Sequence, residues 1–254
     1  IIKELPEKME ANLYCNLTKD QASLYQAVVD DMMKQINSAA GIARKGLILT
    51  TLMKLKQVCN HPTLLTKDNK ALGRRSGKLA RLDDLLEVMM EGDDACLIFT
   101  QFSSWGGMLA KHLEKNFNTP VAFLHGGTPK KERDKMVQHF QSEEGPRIFV
   151  LSLKAGGVGL NLTKANQIIH YDRWWNPAVE DQASDRAYRI GQKRTVQVRK
   201  FVCVGTLEER IDKMIEQKKA LANAIIGTGE GWLTELDTDQ LAELFKLSQD
   251  AVSE

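Results

Sequence analysis

The amino-acid sequence predicts an α/β fold: a central, mainly parallel sheet flanked by helices, with a helical N-terminal lead-in and short C-terminal helices. Three observations carry this. Between Cys96 and Val202, short apolar runs alternate with amphipathic stretches, as parallel strands joined by crossover helices do. Those stretches open on residues that cap helices. Ahead of them, Ile1 to Ser76 shows helical periodicity and no strand-like alternation.

The elements follow in order. In the lead-in, residues 1–76, Thr18 to Gln21 has the spacing of a capping box, and Gly46 to Val58 is a long segment rich in Leu and Lys. The expected lobe, residues 77–227, holds strands at Cys96 to Thr100, Val121 to His125, Arg147 to Ser152, Gln167 to Tyr171 and Val196 to Val202. Thr128-Pro129 places a capping hydroxyl before a proline, opening a helix toward Gln141 that stops before Gly145-Pro146. Thr206-Leu207-Glu208-Glu209 is a second capping box, after which Leu207, Ile211, Met214, Ile215, Leu221 and Ile225 keep one apolar face. In the last part, residues 228–254, a Gly-rich linker leads to a short acidic helix, Asp237 to Leu247, with Trp232 and Leu233 as anchors.

Composition sets the class. With 254 residues, 43% hydrophobic and 27% charged, the chain can bury a substantial core and is unlike a disordered tail. No apolar run approaches ~18 residues, which excludes a helical membrane span. Ile1 to Glu10 has no initiator Met and carries Lys3, Glu4, Glu7 and Lys8, so it reads as neither a signal peptide nor a natural start, and the chain is expected to be cut from something longer. The four cysteines lie far apart, as reduced thiols of an intracellular protein do, and Cys59-Asn60-His61 has no second pair at ligand spacing, so no metal is expected. The net charge of +2 hides segregation. Six basic residues face one acid from Lys67 to Arg81, and six face one from Gln182 to Phe201. Such blocks are solvated faces or a surface for a polyanion, and charge alone leaves both open.

Nucleotide chemistry is the first question for such a fold, and the phosphate-loop test fails. Gly73-Arg74-Arg75-Ser76-Gly77-Lys78-Leu79 is one residue short and puts Leu79 where a hydroxyl must hold the metal. No Asp-Glu pair occurs to hold magnesium and position water, so any nucleotide hydrolysis needs machinery from elsewhere. The strongest constellation is Glu180 to Gln192. On a helix, Gln182, Arg186 and Arg189 would share one face, and two adjacent guanidinium groups call for an anion such as a triphosphate, or for pairing with Glu180 or Asp181. Upstream, Ser152 to Thr163 begins at a strand end and has three glycines in four positions, which lets backbone amides approach an anion.

Taken together, Leu97 to Phe102, His125-Gly126-Gly127 with Arg133 beyond it, the Ser152 loop, Asp172-Arg173-Trp174-Trp175-Asn176-Pro177 and the Gln182 to Gln192 motif resemble the second RecA-like lobe of superfamily two helicases. Within that superfamily the chain is similar to the Swi/Snf-type chromatin-remodelling and DNA-translocating ATPases, to which the GGVGLNL loop, Trp-Asn-Pro and Arg-Ile-Gly-Gln are particular. Cys59-Asn60-His61-Pro62 and Ser76-Gly77-Lys78-Leu79 are familiar from the same family, which makes the near-miss phosphate loop a helix start.

The resemblance implies the following roles. Arg186 and Arg189 match arginine fingers that complete an ATP site, with Gln182 beside them, while Gly157, Gly159 and Asn161 match the loop that touches the nucleotide. Toward nucleic acid stand Gln101, Ser103 and Ser104, which head a helix, then Gly126, Gly127, Ser152, Lys154 and Trp175. Tyr188 stands where the family often has His. ATP with Mg2+ would be shared with an absent first RecA-like lobe of the same protein, and duplex DNA would be the track. The chain would be half of a DNA-dependent ATPase, inactive alone, working in the cytoplasm or nucleoid of a prokaryote or the nucleus of a eukaryote. Two other readings stand beside this one: the lobe of an RNA helicase, against which Asn161 and Trp-Asn-Pro speak, and a non-catalytic nucleic-acid-binding module, against which the paired arginines speak.

Overall fold

The computed structural model describes residues 5–152, 159–174, 176–221 and 226–252, of which 218–221 and 226–229 as backbone only. The expected site residues Lys154, Gly157 and Trp175 lie outside the described residues. In chain order the elements are β1 (Lys8–Cys15), α1 (Lys19–Ile36), α2 (Gly41–Asn60), α3 (Thr63–Thr66), α4 (Gly77–Glu91), β2 (Cys96–Thr100), α5 (Ser103–Phe117), β3 (Val121–Leu124), α6 (Lys130–Gln141), β4 (Ile148–Ser152), β5 (Gln167–His170), α7 (Pro177–Ser184), β6 (Val196–Cys203), α8 (Leu207–Leu221) and α9 (Thr238–Phe245). The chain forms two compact units. One comprises Ile1–Leu13, Leu82–Asp172 and Ala178–Phe201, and the other Tyr14–Arg81, Arg173–Pro177 and Val202–Glu254.

The first unit is built on a six-stranded sheet in the order β1-β6-β5-β2-β4-β3, and the fold is RecA-like α/β. The pairs β2/β4, β2/β5, β3/β4 and β5/β6 are all parallel. Every residue of β2, β4 and β5 is buried, which is why they read as unbroken apolar runs rather than as alternation. Helix α5 lies close against β3, and Gly106 is what permits it: a Cβ there would stand 2.5 Å from the Phe123 ring.

The second unit closes around one apolar cluster that includes Tyr25, Val29, Met32, Leu52, Leu55, Leu207, Ile211, Leu233, Leu241 and Phe245. The Thr18 capping box forms as the spacing predicts, and the same Gln21 side chain donates to Val58 O at 2.7 Å and Cys59 O at 3.2 Å, capping the end of α2 as well. Gly77 opens α4 because any Cβ there would fall 1.8 Å from Asn16 O. The neighbouring Lys78 is fully buried, donating to Glu208 at 2.7 Å and Asn60 at 3.1 Å. Its ammonium is committed to the core, so the near-miss phosphate loop is a helix start, as the family resemblance implies. Burial works to depress the Lys78 pKa, but the Glu208 carboxylate outweighs it and holds the ammonium above the ordinary lysine range.

Several expectations need correction. The lead-in is not purely helical: Lys8–Cys15 is a strand at the sheet edge, held at Glu7 O by Val196 N (2.9 Å) and at Cys15 O by Val204 N (3.0 Å). An edge strand paired on one side, with half of its side chains exposed and only Cys15 buried, need not alternate. Thr128 does not cap α6. Its hydroxyl accepts from His125 N at 3.2 Å, closing the preceding turn and leaving Pro129 as the N-cap. At α8 the box is shifted by one residue: Thr206 Oγ1 accepts from Glu208 N and Glu209 reaches Gly205 N. The Gly-rich stretch after residue 225 is a 3-10 helix, Ile226–Glu235, rather than an open linker. Leu233 is buried and Trp232 packs against the cluster, as anchors should, and α9 is capped by Asp237.

Candidate functional site

In the first unit, Thr100 pairs with Ser152, Leu124 with Leu151 and Phe99 with His170, so β2, β3, β4 and β5 end close together in register. Because they are parallel, the segments that follow all leave from one sheet edge, where open α/β sheets bind ligands. Asp172 organises the first of these. It is fully buried, and accepts from Thr100 Oγ1 at 2.6 Å and from Gln101 N at 2.9 Å. Thr100 Oγ1 in turn accepts from Phe102 N at 3.3 Å. Gln101 is half-buried at this turn, and Ser103 and Ser104 are exposed in the first turn of α5, whose N-cap, Phe102, supplies no side-chain hydrogen bond. Gly126 and Gly127 are exposed in the turn after β3, where Gly127 N donates to His125 Nδ1 at 3.2 Å. Ser152 is buried at the end of β4.

The arginine motif departs from expectation. Helix α7 ends at Ser184, and Arg186 and Arg189 lie in the turns beyond it. Bonds there shorten to Arg186 N with Ala183 O and Ala187 N with Ser184 O, and Gly191 takes a φ of +106° that favours glycine. Gln182, Arg186 and Arg189 therefore share no helical face. Gln182 and Arg189 are exposed, whereas Arg186 is 8% exposed and lies 5.6 Å from the centre of the Phe99 ring. Burial lowers the Arg186 pKa from its ordinary value. Phe99 also stacks on His170, whose Nε2 is 3.0 Å from Ser184 Oγ at the end of α7.

The two motifs singled out from sequence do meet. Leu162 N donates to Arg186 O at 2.9 Å, and Arg189 Nη1 donates to Leu160 O at 3.2 Å. Gly159, with a φ of +105°, and Asn161 are exposed beside this junction. Glu180, fully buried on α7, pairs with Lys200 at 3.2 Å, and Lys200 also reaches Glu10 at 3.2 Å. Two residues of the site were missed in the sequence. Asp172 carries no spacing signal beyond standing before Trp-Asn-Pro. Gln192, at the end of the motif, uses its side chain to bind four backbone groups.

Among the described residues, the group of donors that could hold an ion is Cys59, Cys203 and Glu208, within 4.8 Å of one another in the second unit. Lys78 already occupies Glu208 there. Both ring nitrogens of His61 are engaged, with Thr63 N at 3.1 Å and Leu72 O at 3.2 Å.

Residues 77–191 match the family model of the helicase conserved C-terminal domain, and residues 1–64 that of the SNF2-related domain. The chain is 51% identical over 249 residues to the Bacillus subtilis protein YwqA, described as an ATP-dependent helicase/translocase, covering 97% of this chain and 27% of that protein. It is 35% identical to the human SWI/SNF-related matrix-associated actin-dependent regulator of chromatin subfamily A member 1, covering 95% of this chain and 24% of that one. The chain thus spans about a quarter of the length of the curated relatives it matches. Among solved structures, the Sulfolobus solfataricus SWI2/SNF2 ATPase C-terminal domain is 45% identical with a TM-score of 0.83, covering 95% of this chain and 100% of that chain. The SWI2/SNF2 ATPase core of the same organism, in complex with double-stranded DNA, is 48% identical with a TM-score of 0.87, covering 98% of this chain and 52% of that chain.

Proposed function

The chain belongs to the SWI2/SNF2 family of ATPases, and from that premise we propose that it is the second, C-terminal motor lobe of a DNA-dependent ATPase that translocates on duplex DNA and remodels protein–DNA complexes inside the cell. The observation that carries the reading is the junction of the two motifs at the strand ends: Leu162 N bonded to Arg186 O, and Arg189 bonded to Leu160 O. It ties the turns that carry the two arginines to the segment that follows the Gly-rich loop, which supports a shared site for a triphosphate.

In this reading a first RecA-like lobe supplies the Walker lysine, the Mg2+ ligands and the acid that positions water. Arg189 and Arg186 are the fingers that neutralise charge building on the γ-phosphoryl group as its bond to the β-phosphate oxygen breaks. The exposed Arg189 is suited to direct contact, and the nucleotide-side roles that the resemblance implies go to Gln182, Gly157, Gly159 and Asn161. Gln101, Ser103, Ser104, Gly126, Gly127, Ser152, Lys154 and Trp175 serve the DNA backbone, as the resemblance implies. Residues 1–76 are the lead-in, 77–227 the lobe and 228–254 its C-terminal appendage. The chain alone does not turn over ATP.

The test is Arg189→Ala in the complete two-lobe motor. Hydrolysis should slow by roughly 10³-fold with ATP affinity less changed, because a finger acts on transition-state charge. A variant that hydrolyses at the wild-type rate would refute the assignment.

A further inference from the structure

We propose that Gln192 is a positioning residue for Arg189, holding the arginine turn in fixed register with the segment that carries Asn161. The proposal rests on the reading of Arg189 as a finger. The Gln192 side chain is buried, and its amide is taken up by backbone groups rather than offered to a ligand. Its Nε2 donates to Ala165 O at 2.8 Å and Ala187 O at 3.1 Å, and its Oε1 accepts from Lys193 N at 2.9 Å and Arg194 N at 3.0 Å. Two carbonyls on one side and two N–H groups on the other leave a single orientation for the carboxamide and use its full hydrogen-bonding capacity.

These bonds close a circuit around the site. Arg186 O accepts from Leu162 N, Leu162 O accepts from Ala165 N, and Ala165 O and Ala187 O are tied together by the Gln192 amide. The Gln192 backbone N–H also donates to Arg189 O at 2.9 Å. Arg186 is therefore bonded by its own carbonyl to the segment after the Gly-rich loop without Gln192, whereas the Arg189 backbone reaches that segment through Gln192. A glutamine that merely closed its local turn would need only the bonds to Lys193 and Arg194. The two donor bonds reach back to the motif and to the loop, and they set where Arg189 begins.

Gln192→Glu separates the roles. It keeps both acceptor bonds, loses both donor bonds and sets a carboxylate against two carbonyls. In the complete motor it should lower kcat about 10- to 100-fold, the cost of misplacing a catalytic group by about an ångström, with KM for ATP and duplex affinity little changed. The double variant Arg189→Ala/Gln192→Glu should be no slower than Arg189→Ala alone, since residues acting through one group are non-additive. Gln192→Asn, too short to span the four partners, should show the same kcat loss and serves if the Glu variant does not fold. Wild-type kcat in a folded Gln192 variant, or losses that multiply in the double variant, would overturn the proposal. So would failure of both variants to fold, which would make Gln192 a brace of the fold. If Arg189→Ala is slow while the Gln192 variants are normal, only this proposal falls. If Arg189→Ala hydrolyses normally, the finger reading falls and takes this one with it.

Discussion

The guanidinium of Arg186 stands 5.6 Å from the centre of the Phe99 ring, and the same ring stacks on His170 at 5.5 Å. Phe99 lies on a central strand and is fully buried. A cation held on a ring inside the protein is not free to swing, so Arg186 is set by the sheet itself, whereas Arg189 is exposed and held at Leu160 O.

Phe99→Leu tests that dependence. It keeps most of the apolar burial but removes the ring from both Arg186 and His170, and should cost roughly 1–3 kcal/mol in chemical denaturation of the chain. Arg189→Ala should leave the denaturation midpoint near wild type, because its group is exposed. Equal loss in the two variants would mean that Arg186 is not held by the ring.

Raised thiol pKa values make stability fall in alkali. Burial pushes the Cys15 thiol up to about 11, and burial likewise raises Cys96 and, together with the Cys59 thiol beside it, Cys203. The folded chain keeps these protons while the unfolded chain releases them near pH 9, so the unfolded state binds fewer protons and stability drops as pH rises. Full stability is present below about pH 9, and the Cys15 contribution is lost between about 9 and 11. Each thiol adds up to about 1.4 kcal/mol per pH unit in its window. Urea denaturation between pH 8 and 10.5 should show the decline, and Cys15→Ala should make it shallower; an unchanged slope would rule Cys15 out as a contributor.

How much could be read in the sequence depended on what each residue does. Cys96–Thr100, Ile148–Ser152 and Gln167–His170 were legible because burial on both faces leaves an unbroken apolar signature, and Thr18 because a capping box is local chemistry. Lys8–Cys15 was not, since its strand conformation comes from pairing with β6 rather than from its own pattern. The arginine motif has helical spacing, but Leu162 N takes the Arg186 carbonyl and Gly191 turns the chain, so the spacing does not become a shared face. Asp172 and Gln192 were missed because polar residues that bind backbone look, in sequence, like those that bind ligands.

The last expectation concerns duplex DNA. In the first unit, exposed Ser103 and Ser104 head α5, and Asp172 fixes the turn that leads into it by accepting from Thr100 Oγ1 and Gln101 N. The chain should bind duplexes weakly and without sequence preference, with affinity falling as salt rises, because release of counterions from neutralised phosphates dominates such binding. One lobe reaches few phosphates, so the slope should be shallower than that of the complete motor. Asp172→Asn replaces one acceptor with a donor facing Thr100 Oγ1 or Gln101 N, and should weaken binding equally on unrelated sequences by loosening the turn beneath the contacting groups. Lys154→Ala should do the same and also reduce the salt slope by about one counterion, because it removes a cation that would neutralise a phosphate and Asp172→Asn removes none. Strong preference for one sequence, or affinity indifferent to salt, would replace the backbone-tracking lobe with a reader of base edges.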